Sequence, residues 1–264
     1  MHAAEREQRL LELLRERGFV AFKDIERTVS ASPATLRRDL DRLEKDGVIV
    51  RVRGGARLVQ GGDGAAAEAA PARFVGSPFH ENIARNRPEK EAIGRRAAEL
   101  CAPGESVIID GGSTTLQMCP HLEPLGLQVL TNSLHIVSAL IRQANTRISV
   151  PAGTLFREQD ILLSPFEDDG MNRYHASKLF MGAAAIGRHG LMQTDVLLVQ
   201  VERRLLSRAD EVVVLADSSK FDGPAGHVVC DLKEVDVLVT DDRVRDDIVQ
   251  MLERAGVKVI TVTP

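Results

Sequence analysis

The sequence predicts a two-part α/β protein, with a small module of helices and a β-hairpin followed by a larger domain built on a parallel β-sheet. The 264 residues are enough for two domains of ordinary size. The stretch Gly61 to Pro78 is rich in Gly, Ala and Pro and has no apolar periodicity. Beyond it, strand and helix patterns alternate. We therefore predict domains over residues 1–60 and 80–264, joined by a flexible linker over residues 61–79.

The N-terminal part carries three helix patterns. The leucines of EREQRLLELLRER form an apolar stripe that ends at Gly18, and a second helix is predicted over Phe22 to Ser30. The third helix is predicted from Pro33 to about Asp46, because the Ser32 hydroxyl can cap it and proline suits the first helical position. Leucines spaced i, i+4 and i+7 form its buried face, which leaves its basic side chains on the opposite side.

Two short strand patterns, Val48 to Val52 and Ala56 to Val59, flank Arg53-Gly54-Gly55 and predict a glycine-tipped hairpin. Three helices followed by such a hairpin form a winged helix-turn-helix, whose third helix enters the major groove of DNA. A helix of about 14 residues is roughly 21 Å long and fits that groove. Arginines pair with guanine or hold phosphate, and hydroxyls hold the DNA backbone. The residues predicted to contact DNA are Ser32, Thr35, Arg37, Arg38, Arg42, Arg51, Arg53 and Arg57.

The distribution of charge agrees with a negatively charged partner for the N-terminal part. Residues 1–60 hold 13 Lys and Arg against 10 Asp and Glu, whereas the rest of the chain holds 21 against 28. The net charge of −4 excludes a uniformly basic coat for nucleic acid. The alternative for the third helix is an ordinary exposed helix, because Asp39, Asp41 and Glu44 are interspersed among its arginines.

The composition is that of an ordinary globular protein, with 44% hydrophobic and 27% charged residues. No apolar run approaches the roughly 18 residues that cross a bilayer, and the start, MHAAEREQRL, lacks the apolar core of a signal peptide. We therefore expect a cytoplasmic protein that contacts no membrane. Cys101, Cys119 and Cys230 are widely spaced, which predicts reduced, buried thiols rather than disulfides or a zinc site.

The C-terminal part alternates between strand and helix patterns. The predicted helices are Lys90 to Leu100, Thr115 to His121, Leu134 to Gln143, Val199 to Ser207 and Arg243 to Ala255. The predicted strands are Ser106 to Asp110, Gln128 to Thr131, Arg147 to Val150, Leu179 to Gly182, Glu211 to Ala216, Val235 to Thr240 and Val257 to Val262. Such alternation predicts a parallel sheet covered by helices.

A D-G-G-S-T-T loop at residues 110–115 joins a predicted strand to a predicted helix. Its glycines let the backbone approach a ligand, and its hydroxyls and N–H groups suit an anion such as phosphate. A second strand ends in T-N-S at residues 131–133, which we expect at the same sheet edge. Capping of the following helices is the structural alternative at both places. The predicted ligand contacts are Asp110, Gly112, Ser113, Thr114, Thr115, Asn132 and Ser133.

Residues 5–58 resemble the DNA-binding domain of DeoR/GlpR-type bacterial transcription regulators, through S-P-A-T-L-R-R-D-L at 32–40 and R-V-R-G-G-A at 51–56. The C-terminal part resembles the sensor domain of the same family, through P-G-E-S at 103–106, D-G-G-S-T-T, T-N-S and D-S-S-K-F at 217–221. The resemblance implies a fold like that of ribose-5-phosphate isomerase, a phosphorylated sugar or sugar-acid effector and repression of a sugar-catabolism operon. Residues 157–220 look most similar to the branch of ascorbate-utilisation and rhamnose-catabolism repressors.

The resemblance adds further candidate ligand contacts. Lys220 in D-S-S-K would supply a cation for phosphate. Gly153, Arg157 and Gln159 form a further candidate edge of the site. Two positions depart from the family pattern. The usual Gly-Gly after the third strand reads Ala-Gly, and Gln200 and Glu202 stand where the family often has Glu and Lys.

An enzyme is the competing function, because the sensor fold is enzyme-like. Sugar-phosphate isomerisation needs a carboxylate base and an electrophile, for which Asp110, Asp195 or Glu202 and Lys220 are candidates. A phosphosugar kinase is a further alternative. We favour a ligand-gated repressor without catalytic residues, cofactor or metal, because an attached DNA-binding module gives ligand binding a sufficient purpose. Its partners would be double-stranded operator DNA, the effector, and a second or further copies of itself in a dimer or tetramer.

Overall fold

The computed structural model describes residues 6, 9–11, 13–14, 19–22, 25, 28–29, 31–45, 48–52, 55–58, 79–164, 168–221, 223 and 226–264. The predicted linker, apart from its last residue, lies outside these ranges. The chain divides into two compact units, Met1–Ala72 and Arg73–Pro264, each of which is described by itself below. No helix in the described ranges is long and apolar enough to span a membrane.

The N-terminal unit contains strand β1 (Phe19–Ala21), helix α1 (Pro33–Lys45), strand β2 (Ile49–Val52) and strand β3 (Gly55–Leu58). Residues described within the two earlier predicted helices are helical at 6, 9–11 and 13–14, and at 22, 25 and 28. The predicted hairpin is present as β2 and β3, but the prediction of a two-stranded sheet is wrong. The sheet has three antiparallel strands in the order β1-β3-β2. The short strand β1 pairs with a distant segment, so that local patterns could not reveal it.

The core of the N-terminal unit is built on the leucine face of α1. Leu36, Leu40 and Leu43 are buried against apolar residues of the preceding helical segments, including Leu10 and Ile25. Full burial of such a side chain contributes about 1.5–3 kcal/mol relative to exposure. The predicted N-cap is present, since Ser32 Oγ accepts a hydrogen bond from the Thr35 N–H at 3.2 Å.

The C-terminal unit is organised around a seven-stranded sheet in which every neighbouring pair is parallel. Its strands are β4 (Ser106–Ile109), β5 (Gln128–Leu130), β6 (Arg147–Ser149), β9 (Ala176–Met181), β12 (Ala209–Leu215), β14 (Val237–Asp241) and β15 (Lys258–Val262). Their order is β15-β14-β12-β9-β4-β5-β6. All seven predicted strands are present, and the predicted α/β fold is confirmed.

Helices cover both faces of this sheet. They are α2 (Phe79–Ala84), α3 (Arg87–Ala98), α4 (Leu134–Leu140), α5 (Val196–Leu206) and α6 (Asp246–Arg254), with a 3-10 helix at Thr115–His121. Alternate strand residues point to opposite faces. Val107 and Ile109 therefore pack in the core that holds α3, whereas Ile108 packs in the core that holds α5.

Five shorter strands and helix α2 lie outside the predicted elements. β7 (Thr154–Phe156) pairs with β8 (Ile161–Leu163), and β10 (Ala185–Gly187), β11 (Gly190–Gln193) and β13 (His227–Cys230) form a separate antiparallel sheet. The alternation of strand and helix patterns did not predict these strands. They form by pairing with neighbouring strands, as between Gln193 and His227.

The three cysteines are buried and free, as the sequence predicts. Burial raises the pKa of each of the Cys101, Cys119 and Cys230 thiols to about 12. The neutral thiol therefore predominates at neutral pH, which makes these side chains poor nucleophiles and poor metal ligands. Within the described ranges, no group of three or more His, Cys, Asp or Glu side chains could hold a metal ion.

Candidate functional site

The predicted DNA-contacting residues of the N-terminal unit lie at the start of α1 and along it. Arg38 and Arg42 are one helical turn apart and both exposed, on the side of α1 away from its buried leucines. Ser32 is exposed at the N-cap, and Thr35 is half-buried in the first turn. Arg37 also lies on α1, Arg51 on β2 and Arg57 on β3, whereas Arg53 lies outside the described residues.

The burial of Asp39 distinguishes α1 from an ordinary charged surface helix. Its carboxylate is only 7% exposed and accepts a hydrogen bond from Arg6 Nε at 2.8 Å. The ion pair therefore joins the first helical segment to α1 and orients α1 within its unit. The sequence shows Asp39 only as one of several acids among the arginines, with no signal for its partner.

The C-terminal unit contains a cavity of about 380 Å³ at the carboxyl edge of the parallel sheet. Asp110 follows β4, Asn132 follows β5, Gly182 follows β9 and Lys220 lies beyond the end of β12, and all four line the cavity. These strands are adjacent in the order β12-β9-β4-β5. Because parallel strands end at the same edge, residues far apart in sequence converge there.

Seven of the eleven predicted ligand contacts line this cavity: Asp110, Gly112, Ser113, Thr114, Asn132, Gln159 and Lys220. The other four are Thr115, Ser133, Gly153 and Arg157. Arg157 is exposed in the β7–β8 hairpin. In the same hairpin, a Cβ on Gly153 would lie 2.6 Å from the Leu163 carbonyl oxygen, so glycine is needed for the close approach of the chain.

Thr115 and Ser133 support the cavity wall from behind. The fully buried Thr115 Oγ1 lies 2.8 Å from the Asp110 carbonyl oxygen and 3.0 Å from that of Gly112, which holds the loop in its bend. Ser133 Oγ accepts a hydrogen bond from the Ile136 N–H at 3.4 Å and caps α4. The capping alternative considered for the T-N-S stretch therefore describes its serine.

The 110–115 loop presents polar groups to the cavity. Backbone N–H groups of Gly112, Ser113 and Thr114 donate to no acceptor among the described residues. The Asn132 side chain is 1% exposed; its Oδ1 accepts from the Gly111 N–H at 3.3 Å, and its Nδ2 has no hydrogen-bond partner among the described residues. The Asn132 amide also interacts with the Asp110 carboxyl group and favours its charged form. A buried amide at the wall of a cavity can donate to a ligand oxygen as well.

Cations lie near the turn that carries Lys220. Arg85 is exposed at the cavity wall, and Lys220 is half-buried there. Lys90 lies behind them, 2% exposed, and its Nζ donates to the Asn82 carbonyl oxygen. Burial, opposed by the charge of Asp217 and aided by Lys220 and Arg85, lowers the pKa of Lys90 to about 8. These three positive charges favour an anion at this part of the cavity.

Two acidic side chains, Asp110 and Glu202, also line the cavity, and both are at most 5% exposed. Burial raises the pKa of Asp110 to about 6, although the Gly111 N–H and the Asn132 amide favour its charged form. Burial and the charge of Asp110 raise the pKa of Glu202 well above its usual range. The pair therefore retains a proton at a pH where isolated carboxyls have lost theirs.

Several wall residues have no counterpart among the predicted contacts. Phe79, Asn82 and Arg85 come from α2 and the turn after it, and Gln193 comes from the end of β11. The Phe79 ring stacks on His135 with centroids 4.0 Å apart. A short helix next to the predicted linker and a short strand outside the parallel sheet give no sequence signal for a site, so only the fold reveals them.

A winged helix-turn-helix joined in one chain to an α/β unit with a polar cavity defines the class of ligand-sensing transcriptional regulators. The profile described as the DeoR C terminal sensor domain matches residues 85–242, and that of the DeoR-like helix-turn-helix domain matches residues 6–61. The chain belongs to the DeoR family of transcriptional regulators. The family resemblance seen in the sequence is thus confirmed, as is the choice of a DNA-binding regulator over an enzyme.

Curated relatives cover the whole chain. The chain is 32% identical over 262 residues to the HTH-type transcriptional regulator UlaR of Escherichia coli O1:K1 and to that of Shigella boydii serotype 18, spanning 99% of this chain and 100% of each relative. Among solved structures, ribose 5-phosphate isomerase A of Methanocaldococcus jannaschii is similar over 52% of this chain and 55% of its own, with 18% identity and a TM-score of 0.39.

Proposed function

We propose that this regulator represses a sugar-catabolism operon, and that a phosphorylated sugar or sugar acid bound in the cavity changes its affinity for operator DNA. One observation carries the proposal: four adjacent strand ends bring a loop rich in hydroxyls, a buried amide and a lysine to one cavity. A volume of about 380 Å³ lies in the usual range for small-molecule sites.

The phosphate of the effector would bind at the 112–114 loop. Three backbone N–H groups and the Ser113 and Thr114 hydroxyls are available as donors, and Lys220 and Arg85 balance the charge. The Asn132 amide would donate to a ligand oxygen. In this arrangement Thr115 and Ser133 keep the loop and α4 in place without contacting the ligand.

The DNA contacts would come from α1 and the β2–β3 hairpin. Arg38 and Arg42 form the exposed face of α1, with Thr35 and Arg37 in its first half, and we propose that this surface meets the major groove. Ser32 at the N-cap and Arg51, Arg53 and Arg57 in the hairpin region would hold the phosphate backbone.

Effector and DNA would be coupled through a homo-oligomer, a dimer or a tetramer. A winged helix-turn-helix unit binds one half-site, so symmetric association places two such units on repeated or palindromic DNA. A ligand that prefers a different arrangement of the oligomer lowers or raises DNA affinity. A tenfold change requires only about 1.4 kcal/mol of coupling.

The test begins with operator sequences selected from random DNA by the full-length protein. Fluorescence anisotropy then measures affinity for the selected site with sugar phosphates, sugar-acid phosphates and their unphosphorylated forms. We expect at least one phosphorylated compound to change the affinity tenfold or more, and its unphosphorylated form to have no effect. The proposal fails if the unphosphorylated compounds act and the phosphorylated ones do not. A reporter gene behind the selected site should be less expressed when the regulator is present.

A further inference from the structure

We propose that the cavity selects a ligand whose sugar portion is an uncharged polyol, and disfavours one with a second anionic group, because Asp110 and Glu202 form the wall that the sugar portion meets. This inference rests on the proposed function, in which a phosphate occupies the loop beside Lys220. It narrows the effector from a phosphorylated sugar or sugar acid to the monophosphate of a neutral sugar.

Glu202 is held at the wall in a defined orientation. It lies on α5, is 4% exposed, and its Oε1 accepts a hydrogen bond from Gln193 Nε2 at 2.5 Å. Its Oε2 is buried and has no hydrogen-bond partner among the described residues. Gln193 also lines the cavity. The fold therefore fixes one carboxyl oxygen and leaves the other for a ligand group.

Asp110 gives this wall a second carboxyl group, and the charge of Asp110 acts on Glu202. Among the described residues, the interaction that favours the charged form of Glu202 is the hydrogen bond from Gln193, a neutral side chain. Lys220 and Arg85 act on Lys90, but neither acts on Asp110 or Glu202. Among the described residues, the two acidic groups therefore have no cation that stabilises their charged forms.

Hydroxyl groups match the two acidic groups in either protonation state of the pair. A hydroxyl donates to a carboxylate oxygen and accepts from a protonated carboxyl group, so it can satisfy Glu202 Oε2 in both cases. A ligand carboxylate only accepts, and it would bring a further negative charge beside two buried acidic groups. Because burial strengthens repulsion between like charges, such a ligand should bind more weakly.

Calorimetry with the full-length protein compares matched probes: glucose 6-phosphate with 6-phosphogluconate, ribose 5-phosphate with 5-phosphoribonate, glucosamine 6-phosphate, and inorganic phosphate. For the tightest-binding pair, we expect the sugar phosphate to bind at least tenfold more tightly than the sugar-acid phosphate, a difference of about 1.4 kcal/mol. Glu202→Gln keeps the size of the side chain and an acceptor for Gln193. This variant should bind the sugar-acid phosphate more tightly, so that the ratio of sugar-phosphate affinity to sugar-acid-phosphate affinity falls at least tenfold.

The control is Glu253→Gln, the same change on the exposed face of α6, which should leave the ratio unaltered. Circular dichroism checks folding, and Asp110→Asn gives a second test of the ratio if Glu202→Gln does not fold. Equal or tighter binding of the sugar acid by the wild-type protein overturns the inference and leaves the proposed function intact. Tightest binding of glucosamine 6-phosphate also overturns it, in favour of an ammonium site. If no probe binds, inorganic phosphate included, the proposed function fails as well.

Discussion

Asn86 Nδ2 donates a hydrogen bond to Asp217 Oδ1 at 2.8 Å and lies 3.1 Å from Ser219 Oγ, so the turn between α2 and α3 is joined to the turn that carries Lys220. Asn86 has a left-handed backbone conformation, with φ of 51°. Asparagine tolerates this conformation better than most residues. The position of Lys220 at the cavity thus depends on a residue 134 positions earlier in the chain.

The first prediction separates the side chain of Asn86 from its backbone. Asn86→Gly removes the hydrogen bonds but keeps the left-handed conformation, whereas Asn86→Ala also introduces strain. We expect Asn86→Ala to lower the free energy of unfolding by about 1 kcal/mol more than Asn86→Gly, because alanine is strained where glycine is not. Denaturant titration of both variants measures the difference. Equal stability of the two variants would show that the backbone conformation is not constrained.

The second prediction concerns DNA recognition. Arg38→Ala should weaken binding to a selected operator by about 1–3 kcal/mol if Arg38 contacts a base, with little change in thermal stability, since the side chain is exposed. If it contacts a phosphate instead, affinity should fall similarly for all sequences and the salt dependence should flatten. Arg254→Ala, an exposed arginine on α6, is the control. Unchanged operator affinity in Arg38→Ala would contradict the placement of α1 on DNA.

The third prediction concerns the anion-binding part of the cavity. Lys220→Ala should reduce affinity for a phosphorylated effector about tenfold or more, because charge-assisted hydrogen bonds contribute about 1.5–3 kcal/mol. Affinity for operator DNA without effector should remain that of the parent. Lys258→Ala, at an exposed residue of β15, provides a matched control. Calorimetry that finds parental effector affinity in Lys220→Ala would place the anion elsewhere.

The fourth prediction concerns stability and pH. Asp110 and Glu202 have pKa values raised in the folded protein, so the folded state keeps protons that the unfolded chain releases above about pH 4. The stabilising effect of these protons is complete at lower pH and is lost as pH rises towards 6 and beyond, at about 1.4 kcal/mol per pH unit for each retained proton. Thermal unfolding of the wild-type protein should therefore show that the contribution of these protons to the free energy of unfolding decreases between pH 4 and pH 6.

Glu202→Gln removes one of these titrations and leaves Gln193 with an acceptor. The free energy of unfolding should fall less with rising pH in this variant than in the wild-type protein, by an amount on the order of 1 kcal/mol between pH 4 and pH 6. The melting temperature should therefore also fall less. Glu253→Gln should keep the wild-type slope. Parallel curves for the wild-type protein and Glu202→Gln would contradict the buried acidic pair.

The fifth prediction tests the division of the chain. The C-terminal unit, residues 73–264, expressed alone should bind the effector, form a stable oligomer and lack sequence-specific DNA binding, because the winged helix-turn-helix lies wholly within the other unit. Calorimetry measures effector binding, light scattering measures the oligomeric state, and anisotropy measures DNA binding. Monomeric behaviour at micromolar concentration would contradict oligomerisation through this part, and specific DNA binding by the fragment would contradict the predicted domains.

Local patterns in the sequence predicted most of the fold. The leucine spacing of α1, the serine cap before it and the alternation of apolar strands with helices are properties of neighbouring residues, so they are visible without the tertiary structure. The three-strand sheet of the N-terminal unit was missed in part, because β1 forms only by pairing with β3. The antiparallel sheet containing β10, β11 and β13 was missed for the same reason.

The residues of the candidate cavity also fall into two groups, those that the sequence predicted and those that only the tertiary structure revealed. Loops after strands predicted Asp110, the 112–114 loop and Asn132, because parallel strands must end at one edge, and the family resemblance added Lys220. The sequence alone therefore determined the family, the two kinds of domain and the core of the site. The tertiary structure decided that Thr115 and Ser133 support the wall, that Arg85 and Gln193 join it, and that Glu202 lines the cavity together with Asp110. These roles depend on burial and on contacts between distant segments, which only the packed chain brings together.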